Sequence, residues 1–113
     1  MRVEFSNKKL LKVCSSAEEA QAKHGKRMSV KIQLRMTQLA AVETLADLHL
    51  LPGARCHALT GNLKGKFAVD LVHPDRLLFS PDHEPLPLKD DGGLILKEVT
   101  AVLIEGIGDY HGK

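Results

Sequence analysis

The sequence predicts a single α+β domain in which helices precede most of the sheet. Helical start signals and apolar residues spaced by three and four fill the first half to about Leu48, whereas short alternating pieces separated by Gly and Pro follow from Cys56. Leu51-Pro52-Gly53 stops the helical half between them. The 113 residues suit one domain spanning 1–113, and a hydrophobic fraction of 43% argues for a packed core rather than disorder.

Residues 2–5, Arg-Val-Glu-Phe, alternate polar and apolar and lead into Ser6, a good N-cap, which predicts a short strand and then a helix over about 7–14. Ser16-Ala17-Glu18-Glu19 fits a capping box, in which hydroxyl and carboxylate satisfy orphan amides of the first turn. Helical periodicity persists from there to about Leu48, with part of 17–29 open to a separate turn or a break at Gly25. Ile32, Met36, Leu39, Val42 and Ala46 fall on one stripe, suited to packing on a sheet. Lys23, Arg27, Lys31 and Arg35, spaced by four, form a basic stripe that reads either as a solvated face or as a surface for an acidic partner or RNA backbone.

In the second half Phe67, Val69 and Leu71 alternate with smaller or polar neighbours, His73-Pro74-Asp75 makes a tight turn, and Arg76-Leu77-Leu78-Phe79 returns antiparallel as a hairpin. Pro81, Pro85, Pro87 and Gly92-Gly93 mark 81–93 as an exposed loop before a last strand over about 98–107. That strand runs into Asp109-Tyr110-His111, an acid, a phenol and an imidazole side by side. Chain ends fray by default, so these three groups have a task only if they meet others.

A net charge of +2 is mild, and any nucleic-acid affinity must come from clustering of the 16 Lys and Arg. Cys14 and Cys56 have no C-x-x-C spacing and the amino terminus lacks signal-peptide order, which predicts a cytoplasmic protein with reduced thiols. No apolar stretch approaches the ~20 residues that span a bilayer, so no membrane role is expected. The six histidines lack metal-ligand spacing and Gly61–Lys66 and Gly92-Gly93 fail the phosphate-loop pattern, so neither a metal nor a cofactor is expected.

The run CHALTGNLKGKFAVDLVHPDRLLF, residues 56–79, resembles the H-x-L-x-G-x-x-K-G-x-aromatic-x-aliphatic stretch, followed by a strand opening with Arg, of RelE-superfamily toxins. The branch it is most similar to is the HigB, or plasmid maintenance killer, group of type II toxin–antitoxin systems. Pro52-Gly53, the loop Lys89-Asp90-Asp91-Gly92-Gly93 and the Asp109-Tyr110-His111 ending match further motifs of that group, so the resemblance spans most of the chain.

The resemblance implies a RelE-like fold, two amino-terminal helices packed on a small antiparallel sheet of about four strands, with a carboxyl-terminal segment returning across the concave side. It implies a ribosome-dependent messenger RNA endoribonuclease that inhibits translation by metal-free acid–base cleavage. The implied partners are a cognate antitoxin of the HigA-like, helix-turn-helix type, the ribosome with its message, and operator DNA only through the antitoxin complex.

Carried over by position, the catalytic candidates are Lys64, Arg76, Asp109 and His111. Such cleavage needs a base for the 2′-hydroxyl proton, cations on the phosphate and an acid for the leaving 5′-oxygen. An imidazole such as His111 can act as base or acid, Arg76 offers a fixed fork for phosphate oxygens, and Lys64 a point charge. Asp109 would orient His111 or contact the nucleotide, and Tyr110 would pack or stack on a base. Arg55, His57 and Lys66 flank the motif as further RNA-contact candidates, whereas Gly61, Gly65 and Asp75 read as turn residues. Three positions depart from the family pattern: Asp75 where an aromatic often precedes the Arg, Leu63 where a base is common, and Phe67 where tryptophan is common. The competing readings are a ParE-like inhibitor of DNA gyrase and a catalytically inactive antitoxin-binding protein.

Overall fold

A computed structural model of the chain describes residues 1–110. The alternating start forms β1 (Arg2–Phe5), and Asn7 rather than Ser6 caps α1 (Lys8–Ser15), its Oδ1 accepting from Leu10 N at 2.9 Å. Ser16 opens α2 (Ala17–His24), its hydroxyl accepting from Glu19 N at 3.2 Å.

The helical stretch expected to run to Leu48 divides into three. Gly25, at φ +87°, breaks it before α3 (Lys26–Ala41), and an extended Val42 ends α3 before α4 (Leu45–His49). A positive φ is open to glycine without a Cβ clash, so the break falls where the sequence allows it. At α4 both halves of a capping box form: Thr44 Oγ1 accepts from Asp47 N at 3.3 Å, and Asp47 Oδ2 accepts from Thr44 N at 3.2 Å.

The remaining strands are β2 (His57–Ala58), β3 (Phe67–Asp70), β4 (Arg76–Pro81) and β5 (Ala101–Gly108). They form a five-stranded sheet in the order β1-β5-β4-β3-β2. The 67–79 hairpin appears as predicted, with Phe67 opposite Phe79 and Asp70 opposite Arg76. β5 lies antiparallel to β4, whereas β1 adds a parallel strand at the far edge, pairing Arg2 with Ala101 and Phe5 with Ile104. Residues 82–95 carry no helix or strand beyond one bridge between Leu88 and Leu94. No helix among the described residues is long and apolar enough to cross a membrane.

The helices cover one face of the sheet. Ile32 and Leu39 of α3 and Leu45 and Leu48 of α4 bury completely or nearly so with Val69, Leu77, Phe79, Val102 and Ile104, while Met36 and Val42 of the expected stripe pack half-buried against them. Phe67 stacks on Phe79 at 6.0 Å, with His49 edge-on to it at 5.8 Å. Each such aromatic adds about 1.5–3 kcal/mol by burial alone.

Arg35 corrects the basic stripe. It is only 3% exposed, and its guanidinium donates from Nε to Asp70 O at 2.6 Å, from Nη2 to Gly53 O at 2.7 Å and from Nη1 to Gln38 Oε1 at 3.0 Å. Burial lowers its pKa from the ordinary value, against the opposing pull of Asp70. A buried cation persists only when its donors are matched, and here two backbone carbonyls match them. Arg35 therefore ties α3 to the sheet instead of presenting charge to solvent. Both cysteines are free thiols, and burial pushes Cys14 up to about 11 and Cys56 up to about 12.

Candidate active site

Period-two alternation sorts the strand residues between two faces. Phe67 and Val69 of β3 and Leu77 and Phe79 of β4 point to the helices, so Ala68, Asp70, Arg76 and Leu78 point to the other, open face. The register sets two rows across it: Asp70, Arg76 and Gly108 in one, and His57, Ala68, Leu78 and Gly106 in the next. The ladder shifts between Leu78 and Phe79, which leaves Glu105 as an extra residue on β5 beside Gly106.

Gly106 makes room for Tyr110. Tyr110 N donates to Gly108 O at 3.1 Å, turning the backbone sharply back, and the phenol lies over Gly106. A Cβ at Gly106 would collide with the Tyr110 hydroxyl, and one at Gly108 would sit 3.4 Å from the ring. The ring packs instead on the small apolar cluster of Leu59, Ala68 and Leu78, with Leu63 at its border. Arg76 Nη1 then donates to the Tyr110 carbonyl at 2.6 Å.

Charge gathers around this point. Asp70 receives Arg55 Nε at 3.2 Å on one carboxylate oxygen and Arg76 Nε at 3.6 Å on the other. Together with His73, Pro74 and Asp75 these residues line a cleft of about 210 Å³. Arg55 holds its backbone at φ +50°, a conformation uncommon outside glycine, and its carbonyl lies 2.7 Å from His57 Nδ1. A carbonyl can only accept, so Nδ1 carries the proton and the lone pair of His57 is on Nε2. Lys66 Nζ pairs with Glu105 Oε1 at 2.5 Å, both partly buried.

The structure thus brings Arg55, Arg76 and Tyr110 together and sets His57 and Lys66 on the same face. Lys64 is exposed at the border, just after the 3-10 turn Gly61–Leu63, and Asp109 is exposed where the chain leaves β5. His111 lies outside the described residues. Among the described residues no three His, Cys, Asp or Glu side chains converge as a metal site.

Sequence reasoning missed Asp70, Glu105 and the role of Gly106. Asp70 interrupts Val69 and Leu71 in an apolar run and faces Arg76 across a predicted hairpin, a signal that alternation alone could have raised. Nothing local marks Glu105, because its position depends on the bulge.

No family model and no curated protein matches the chain. Among solved structures, the crystal structure of a histidine-to-glutamine mutant of YafQ from E. coli aligns with 96% of this chain and 93% of its own, with a TM-score of 0.56 and 21% identity. The chain has the fold of YafQ. The alignment with YafQ takes in helices and sheet alike, so the α+β architecture implied by the sequence resemblance is the one observed. At this identity the likeness to YafQ is one of backbone, and the chemistry of the open face rests on the residues just described.

Proposed function

We propose that this protein is the toxin of a type II toxin–antitoxin pair, a RelE-superfamily endoribonuclease of the HigB-like branch that cuts messenger RNA during translation. The observation that carries the reading is the convergence of Arg55, Arg76 and Tyr110 on the open face of the sheet, with an imidazole two residues along from Arg55. The YafQ fold and the motif run of residues 56–79 support it.

In this mechanism His57 Nε2 takes the proton from a 2′-hydroxyl, whose oxygen attacks the adjacent phosphorus. Negative charge builds on the phosphate oxygens, and the guanidinium forks of Arg76 and Arg55 hold it, with Lys64 adding a cation from the border. The P–O5′ bond breaks as His111 supplies a proton to the leaving oxygen, giving a 2′,3′-cyclic phosphate and a 5′-hydroxyl. Asp109 acts on His111 or on the nucleotide itself, as the family resemblance implies, and Tyr110 offers its ring for a base to stack on. Lys66, neutralised in part by Glu105, contacts a flanking phosphate. An antitoxin of the helix-turn-helix, HigA-like type restrains the activity and carries the complex to operator DNA, and the cytoplasm, where messages are translated, is the site of action.

The test adds purified protein to a translating extract with a defined message and maps new 5′ ends by primer extension. Cuts confined to codons under translation are expected, absent when translation is blocked. Uniform cutting of naked RNA would refute the ribosome dependence, and no cutting at all would refute the enzyme and turn attention to gyrase.

A further inference from the structure

The Asp70 carboxylate takes no part in the proton transfers proposed above, yet it lies between the two guanidinium groups that hold the phosphate. Arg55 Nε is 3.2 Å from Oδ2 and Arg76 Nε 3.6 Å from Oδ1. The three side chains differ in freedom: Asp70 is 29% exposed, Arg76 26% and Arg55 75%. Arg76 has a second tether in the Tyr110 carbonyl, whereas Asp70 is the one ion-pair partner of Arg55 among the described residues.

The backbone that carries the carboxylate is well fixed. Asp70 N donates to Ala54 O at 2.8 Å, and Asp70 O accepts from Arg35 Nε at 2.6 Å. Arg35 Nη2 also donates to Gly53 O at 2.7 Å. One buried side chain therefore sets both the strand end that carries the carboxylate and the turn that leads to Arg55. Arg55 and Arg76 each approach the carboxylate through Nε, and with Arg76 Nη1 on the Tyr110 carbonyl this leaves the Nη groups of Arg55 and Nη2 of Arg76 to meet an anion entering the cleft.

We propose that Asp70 is a positioning residue: its carboxylate sets Arg55 and Arg76 as a pair that straddles one phosphodiester before RNA arrives. The inference rests on the ribonuclease reading. An exposed arginine samples many rotamers, and ordering it in advance lowers the cost that binding and reaction must otherwise meet. The same carboxylate repels an incoming phosphate. Its removal therefore has a two-sided signature, RNA held as tightly or more tightly but cut more slowly. A merely structural ion pair would give no such split, because a pair this exposed adds little stability. The backbone bonds from Asp70 to Ala54 and Arg35 survive a change of side chain.

The test is Asp70→Asn, read in two ways. In side-chain NMR of the free protein, the Nε–H groups of Arg55 and Arg76 are ordered and slow to exchange in the wild type and lose that protection in the variant, with the melting temperature nearly unchanged. In the translating extract, varied ribosome concentration gives a kcat lower by about tenfold with KM equal or lower. Unchanged arginine signals, or a raised KM at constant kcat, would overturn the positioning role while wild-type cleavage stands. Absence of cleavage by the wild type would overturn the ribonuclease reading and this role with it. Should Asp70→Asn fail to fold, Asp70→Ser is judged by the same two readings.

Discussion

Arg76 Nη1 donates to the backbone carbonyl of Tyr110 at 2.6 Å, which ties the last described residue of the chain to the first residue of β4. The phenol therefore does not sit on an unattached segment: up to Tyr110 the chain turns at Gly108 and lies back on its own sheet. The seat it uses exists because position 106 lacks a side chain.

Gly106→Ala tests that seat. The new Cβ meets the Tyr110 hydroxyl, so the ring must leave the Leu59–Ala68–Leu78 cluster. The chain has one Tyr and no Trp, so its intrinsic fluorescence reports Tyr110 alone. The variant is expected to show greater quenching by iodide and cleavage reduced about 10- to 100-fold, the scale of an ångström-sized misplacement in a site. Unchanged quenching would mean that the ring does not rest there.

Arg35→Met tests the tie between helix and sheet. It leaves the partly buried carbonyls of Asp70 and Gly53 without their donor, and each such group costs up to about 1–3 kcal/mol. A loss of about 2–4 kcal/mol in urea unfolding is expected, with the denaturant slope unchanged. A stability within error of wild type would show that the guanidinium is not the tie.

These two residues mark where the sequence was and was not legible. The first strand, the 67–79 hairpin and the last strand were readable because alternation is a local signal with a fixed period. Arg35 was misread as part of an outward-facing basic stripe, either solvated or set for an acidic partner or RNA, because spacing by four locates a helix face but not what that face meets, here carbonyls 18 and 35 positions away. The capping box at Thr44 was overlooked inside a stretch that looked continuously helical. The parallel pairing of β1 with β5 joins the two ends of the chain and leaves no local trace. Of the candidate site, the motif run and its flank supplied Arg55, His57, Lys64, Lys66 and Arg76 as expectations, and Tyr110 came from the ending. Asp70, the shared partner of Arg55 and Arg76 in the fold, was missed although the hairpin alternation sets it opposite Arg76.

Lys64 is exposed just after the turn Gly61–Leu63, and the proposed mechanism assigns it a point charge for the RNA backbone. Lys64→Ala is expected to weaken binding equally across RNA sequences and to reduce the slope of log affinity against log salt by about 0.7, the value for one phosphate contact on a single strand. Measuring affinity at several salt concentrations checks it, and a sequence-selective loss would contradict it.

The thiols give a pH prediction. Burial raises Cys14 from the ordinary 9.0 to about 11 and Cys56 to about 12, so above pH 9 the folded chain keeps protons that the unfolded chain releases. Stability rises with pH only where the unfolded state binds more protons, so here the sign is negative. The contribution is complete below about pH 9 and declines as pH climbs through about 11 to 12. Urea midpoints across that range should fall more steeply for the wild type than for Cys56→Ala, and both thiols should alkylate slowly near neutral pH. Parallel curves would contradict it.

The most direct test of the central claim, that the Arg55–Arg76–Tyr110 face cleaves RNA by acid–base chemistry, is the identity of the ends it makes. Fragments from the translating extract would be assayed for 2′,3′-cyclic phosphate and 5′-hydroxyl termini, with Arg76→Ala alongside. The account predicts cyclic phosphates from the wild type and few fragments from the variant. Fragments ending in 3′-hydroxyl and 5′-phosphate, or undiminished cutting by Arg76→Ala, would contradict it.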